Sequence, residues 1–160
     1  MSTACNLVSS LGHMGRLGLV PKKLNTPRSK TVVGWVELVS LPALTVRKVE
    51  AKVDTGAETC ALHATNIEIS GRFVSFKALG RKHRLRLKEI RSVRSSNGLE
   101  TLRPVVDLEI VFNNRRDLVE FTLTNREGMK FPILLGRNYL KDGFLVDAGF
   151  RFLLSPGGQK

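Results

Sequence analysis

A chain of 160 residues is a one-domain length, long enough to bury a core without disulfide or metal staples. Its 26 Lys and Arg against 14 Asp and Glu leave a formal charge of +12, a field that favours an anionic partner (nucleic acid, acidic peptide or membrane surface) and says nothing about fold. Cys5 and Cys60 sit in unrelated contexts, which argues against a disulfide framework and for a reducing compartment, and no run approaches the ~18 apolar residues of a membrane span.

Residues 1–30 carry basic but no acidic residues. The composition is that of a transit peptide, but Gly12, Gly15, Gly18 and Pro21 spoil a long amphipathic helix, and no apolar core of the secretory kind is present. The expectation is a flexible basic arm followed by one domain over 31–155, a tail over 156–160, and a cytoplasmic location. After Pro27 short apolar runs alternate with turn residues. Thr31 to Leu41 reads as a β-strand closed by Pro42, and Thr45 to Val53 as a second. Ala61–Ala64 and Ile67–Ile69 are short extended pieces, Gly71 is a break, and Arg72 to Ala78 alternates as a strand. Arg84 to Ile90 alternates charged with apolar residues, as a half-exposed strand does. Residues 87–110 predict a long hairpin with its tip at Ser95-Ser96-Asn97-Gly98, and Val105–Phe112 with Leu118–Leu123 predict another around Asn113-Asn114. Ile133–Leu135 is a short buried strand, Gly136–Lys141 the one helix candidate, and Phe144–Val146 and Phe150–Leu154 a closing strand pair. The fold class is mainly β, a single closed barrel with one short C-terminal helix.

Val49, Ala51 and Val53 deliver the chain to Asp54-Thr55-Gly56-Ala57, which puts a carboxylate on a tight turn. Alone this is an ordinary turn. Far downstream, however, Leu134-Leu135-Gly136-Arg137 supplies an apolar strand that stops at a glycine before a helix. The pair resembles the retropepsin-like aspartic peptidases. Gly34-Trp35-Val36-Glu37, Leu41-Pro42, Ala61-Leu62-His63-Ala64, Arg103-Pro104-Val105-Val106 and Phe131-Pro132 occur in the same order. They narrow the resemblance, over 32–154, to the bacterial branch commonly labelled "ATP-dependent zinc protease" and associated with ATP-grasp glutamate ligases that modify ribosomal proteins.

The residues do not support that label. His13, His63 and His83 are scattered, Cys60-x-x-His63 has no second pair to complete a zinc site, and no phosphate-binding Gly-rich loop with its Lys occurs. No metal and no cofactor are expected. The resemblance instead implies that Asp54 is half of a carboxylate dyad completed by Asp54 of a second subunit, since one lobe holds one Asp-Thr-Gly. Thr55, Gly56, Ala57, Leu134, Leu135, Gly136 and Arg137 would support that loop. Asp107, Asp117 and Asp142 lack the hydroxyl-Gly turn, and Asp147-Ala148-Gly149 reads as a turn before a last strand.

The hairpin at Ser95, Ser96, Asn97 and Gly98 would be the flap over the substrate, and the basic flanks Arg91, Arg94 and Arg103 would favour an acidic peptide or a glutamate-modified protein. An association with the ribosome fits the same picture. The competing reading is a non-catalytic basic β-barrel that binds RNA or the ribosome. Against it, Trp35 and Tyr139 are isolated and most Phe fall at core-like positions.

Overall fold

The computed structural model describes residues 29–94 and 98–154; the basic arm, the tip residues Ser95, Ser96 and Asn97, and the tail lie outside them. Among the described residues twelve strands, one 3-10 turn (Pro42–Leu44) and one short α-helix follow in order. Six strands close into a ring, β10 (Arg115–Thr124), β4 (Cys60–His63), β11 (Ile133–Leu135), β3 (Val46–Val53), β2 (Val36–Leu41) and β9 (Glu100–Phe112), with β9 returning to β10. The expected mainly-β closed barrel is what forms. Closure leaves no free edge within the ring, although β2 and β9 meet only at Ser40 and Val111.

Strand period does most of the work. Along β9, Val106, Leu108, Ile110 and Phe112 turn inward, and Phe121 and Leu123 of β10 face the same interior. Leu41, Leu44, Leu62, Ile133 and Leu135 fill it from the opposite wall. The β9–β10 hairpin turns at Asn113 and Asn114, both in the left-handed region at φ 50° and 58°, with Phe112 facing Arg115. That is the two-residue turn in which both central residues need positive φ, and asparagine tolerates it. A separate antiparallel sheet of β5 (Thr65–Ser70), β6 (Phe73–Ala78) and β7 (Arg81–Arg86) presses Val74, Phe76 and Ala78 onto the same core.

Three expectations change. Thr31 to Leu41 is two strands, β1 (Thr31–Gly34) and β2, because the chain turns at Trp35 to leave one pairing and join another. Arg84 to Ile90 is likewise divided: β7 ends at Arg86 and β8 (Glu89–Arg94) pairs with β9 instead. The alternation slips at Lys88, where three consecutive residues are exposed. Finally, Phe144–Val146 does not pair with Phe150–Leu154. It belongs to β12 (Phe144–Asp147), which lies parallel to β1 from Thr31–Phe144 to Gly34–Asp147. The last segment instead caps the β1–β2 bend, with the Trp35 N–H donating to the Phe150 carbonyl and the Phe152 N–H to the Val36 carbonyl, 2.9 and 2.8 Å.

Glu37 secures this junction. It is fully buried, and its carboxyl accepts the Gly34 N–H at 2.7 Å and the Leu154 N–H at 3.4 Å. A polar group in the interior is tolerated when both oxygens are used. Glu37→Ala orphans both donors and opens a cavity, so a loss of about 2–4 kcal/mol is expected in urea unfolding; an unchanged midpoint would show that the carboxyl carries no such role.

Candidate active site

Asp54 follows β3 at once. Its N–H donates to the Leu135 carbonyl at 2.9 Å, an extension of the parallel β3–β11 ladder in which Ile133, Leu134 and Leu135 face Ala51, Lys52 and Val53. The turn then folds back on its own carboxylate: the Gly56 N–H donates to Asp54 Oδ1 at 3.0 Å, and the Ala57 N–H to the Asp54 carbonyl at 3.3 Å. The Lys52 ammonium reaches Oδ2 at 3.0 Å. Asp54 is partly open to solvent, and Thr55 and Gly56 at the apex are exposed.

The helix α1 (Arg137–Leu140) buttresses the loop from below. Its first amides, which have no partner inside a helix, donate instead to the loop: Arg137 N–H to the Ala57 carbonyl and Asn138 N–H to the Glu58 carbonyl, both 2.9 Å. The Arg137 guanidinium bonds the carbonyls of Thr55 and Gly56 at 3.0 and 2.9 Å. Asn138 takes the Cys60 N–H at 2.9 Å and gives its own amide to the Glu120 carbonyl at 3.1 Å, tying α1 to β4 and β10. Gly136 is where the two segments touch. A Cβ there would stand 2.5 Å from the Thr59 carbonyl carbon and oxygen, closer than packed atoms approach. The structure therefore brings together Asp54, Thr55, Gly56, Ala57, Leu134, Leu135, Gly136 and Arg137, residues far apart in the chain.

Electrostatics keep the Asp54 carboxyl charged in the single subunit. Burial pushes its pKa up, but the Lys52 ammonium and the Gly56 and Ala57 amides more than offset this and leave it below the ordinary aspartate range. Cys60 is the opposite case: burial pushes its thiol up to about 12 despite the Gly136 N–H aimed at the sulfur. His63 Nδ1 accepts the Arg126 N–H at 2.9 Å. Among the described residues no cluster of three His, Cys, Asp or Glu side chains could hold a metal ion.

The hairpin expected to act as a flap is formed by β8 with the first half of β9, in register from Glu89–Val105 to Arg94–Glu100; its tip at Ser95, Ser96 and Asn97 lies outside the described residues, and Gly98 has φ 83°. Its basic residues are not equivalent. Arg91 is paired with both Glu89 and Glu120, and Lys88 with Asp107 and Glu120. Asp107 and Glu120 face each other directly across β9 and β10, so these cations relieve a like-charge pair. Arg94 lies 3.9 Å from Glu100, both exposed. Arg103 donates from Nε to Thr101 Oγ1 at 2.9 Å. Beside it stands a residue the sequence did not single out, Arg126. It is half-buried, with Nε 3.5 Å from the Phe131 carbonyl. Burial holds its guanidinium below the ordinary arginine range, the nearby Asp54 charge acting against that and Arg103 adding to it. A lone basic residue in an irregular loop has no pattern to flag it.

An Asp-Thr-Gly turn carried on a closed barrel, with a Leu-Leu-Gly strand beneath and a hairpin alongside, defines a retropepsin-like half barrel. Residues 32–156 match the family described as RimB-like, "Retropepsin-like aspartic endopeptidase RimB", and the chain belongs to that family. Curated relatives include a "Probable alpha-L-glutamate ligase" from Shewanella pealeana, 36% identical over 143 residues, covering 82% of this chain and 31% of that protein. Another of the same name, from Parasynechococcus marenigrum, is 34% identical over 130 residues, covering 74% and 28%. The chain thus spans only about three tenths of the length of these relatives. A crystal structure of Lpg0085, a protein of unknown function from Legionella pneumophila, superposes with a TM-score of 0.64 at 28% identity, covering 79% of this chain and 99% of that one.

Two outcomes test the site's construction. Gly136→Ala drives a methyl into the Thr59 backbone and should cost about 1–3 kcal/mol in chemical denaturation; no loss would mean the loops can separate freely. For Asp54 the sign follows from its lowered folded pKa: ionisation adds stability above the unfolded-state pKa, and that contribution is lost as pH falls through the folded one. Lys52→Met should raise the Asp54 titration seen by carboxyl NMR and move this acid loss to higher pH. An unmoved titration would remove Lys52 from the account.

Proposed function

We propose that the protein is an aspartic peptidase whose carboxylate dyad forms across a homodimer, each subunit giving one Asp54, and that it cuts acidic, glutamate-rich peptides or protein tails. The observation that carries this reading is the Asp54 turn, a carboxylate at an exposed apex fixed on three sides by Gly56, Lys52 and the Leu135 carbonyl's hold on its backbone. Two such carboxylates close together cannot both ionise and share one proton. The charged one takes a proton from water as the water oxygen attacks the scissile carbonyl carbon, and the protonated one donates a hydrogen bond to the carbonyl oxygen. Thr55, exposed beside it, would bond its counterpart across the twofold axis.

The acidic preference rests on Arg103 and Arg126. Arg91, expected to contribute, is already engaged by Glu89 and Glu120, whereas Arg126 is coupled to Asp54 itself. Carboxylate recognition by a half-buried guanidinium is strong because little water competes. Shared ancestry with a portion of proteins named for glutamate ligation fits a substrate made of glutamate.

With glutamate-rich peptides and mass-spectrometric detection, the wild type should cleave and Asp54→Asn should not, while keeping its fold and its dimer by light scattering. Arg126→Ala should reduce kcat/KM on acidic peptides by about 10–100-fold, the value of one lost charge-assisted contact, and leave neutral peptides nearly unaffected. Cleavage that survives Asp54→Asn, or a strictly monomeric protein that cleaves nothing, overturns the reading.

A further inference from the structure

Two groups of basic residues among those described are treated differently by the structure. Lys88, just before β8, and Arg91, within it, are neutralised by carboxylates. Those on the β5–β6–β7 sheet are not: no ion pair is formed by Lys77, Lys82, Arg84 or Arg86 among the described contacts, and all four are exposed. Register places them on one face. Phe73 is opposite Arg86, Ser75 opposite Arg84 and Lys77 opposite Lys82, while Val74, Phe76 and Ala78 point the other way into the core. Strand alternation therefore sets Lys82, Arg84 and Arg86 in a row about 6.6–6.8 Å apart, close to the spacing of successive phosphates in an extended polynucleotide. Among the described residues of these three strands the only acid is Glu68, paired with Ser75 on the side away from β7.

Two features are hard to explain by solubility alone. Lys77 and Lys82 are a directly opposed like-charge pair, an arrangement that weakens a sheet. Phe73 is 41% exposed on this cationic face, with the Arg84 guanidinium stacked over its ring at 4.2 Å. A cationic strand row beside an aromatic face offers phosphate contacts and a stacking platform together.

We propose that the outer face of the β5–β6–β7 sheet binds single-stranded nucleic acid, at a site distinct from Asp54 and independent of the peptidase reading. Lys77, Lys82, Arg84 and Arg86 take the phosphates, and Phe73 with Arg84 stacks a base. An acidic peptide would use the charges but has no use for the ring.

Fluorescence anisotropy of a labelled 12-nucleotide RNA, and of the DNA of the same sequence, tests this on the full chain. For whichever binds, the triple variant Lys82→Ala/Arg84→Ala/Arg86→Ala should weaken affinity about 30-fold or more near 150 mM salt and reduce the salt-dependence slope by about 2. Arg47→Ala/Lys130→Ala/Lys141→Ala removes the same charge elsewhere and should change affinity less than about threefold. Phe73→Ala should cost about tenfold on the single strand and nothing on a duplex. Thermal unfolding should not drop in Lys77→Ala/Lys82→Ala, which only removes repulsion, and its affinity should still fall by about tenfold. Absence of saturable binding to either strand, equal losses in the two triple variants, or displacement of the oligonucleotide by polyglutamate with Phe73→Ala silent would each overturn the proposal.

Discussion

Everything at the candidate site depends on one short strand being in the right place. β11 is only Ile133–Leu135, yet it runs parallel to β3 on one side and antiparallel to β4 on the other. Its last carbonyl holds the Asp54 N–H, and the glycine after it lets the chain lie against Thr59 without a Cβ between. A three-residue strand cannot hold this position by its own pairing alone. It is held because Ile133 and Leu135 are fully buried in the barrel core, so the apolar interior fixes the strand and the strand fixes the carboxylate. Hydrophobic burial, which has no direction of its own, is converted into a directed hydrogen bond at the site.

The loop is therefore stiff in one sense and open in another. Below, Arg137 and the first amides of α1 satisfy the carbonyls from Thr55 to Glu58. Above, Thr55 and Gly56 face outward. Rigid support under an exposed apex suits a surface that has to meet another rigid surface, since little further ordering is then lost on contact. The same economy is absent from the β8–β9 hairpin, which projects beyond the ring and exposes Ile90 and Leu102.

Much of this could be read from the chain, for identifiable reasons. Asp54-Thr55-Gly56 and Leu134-Leu135-Gly136 are short motifs whose backbone demands are local. The Asn113-Asn114 hairpin was legible because asparagine tolerates the left-handed turn. What stayed hidden were relations between distant residues. Nothing in the order of the charges says that Arg91 is claimed by Glu120 while Arg126 lies within the field of Asp54. The break at Trp35 and the slip at Lys88 were masked because strand-forming residues run on through both places where the chain changes partner. The last residues, Phe150 to Leu154, have strand-like composition, but the buried Glu37 and the β1–β2 bend take their backbone groups, and no ladder forms.

The Cys60 sulfur is enclosed by the Gly136 N–H and the side-chain oxygen of Asn138, under the Asp54 loop. It is also a clock. The thiol is wholly buried between β10 and β11 and pushed up to about 12, so neither an alkylating reagent nor an oxidant can reach a reactive thiolate while the floor of the Asp54 loop is closed. In a chain with Cys5 replaced, the rate at which Cys60 is modified would count the openings of that floor one by one, and would do so at the place where the barrel and the site are joined.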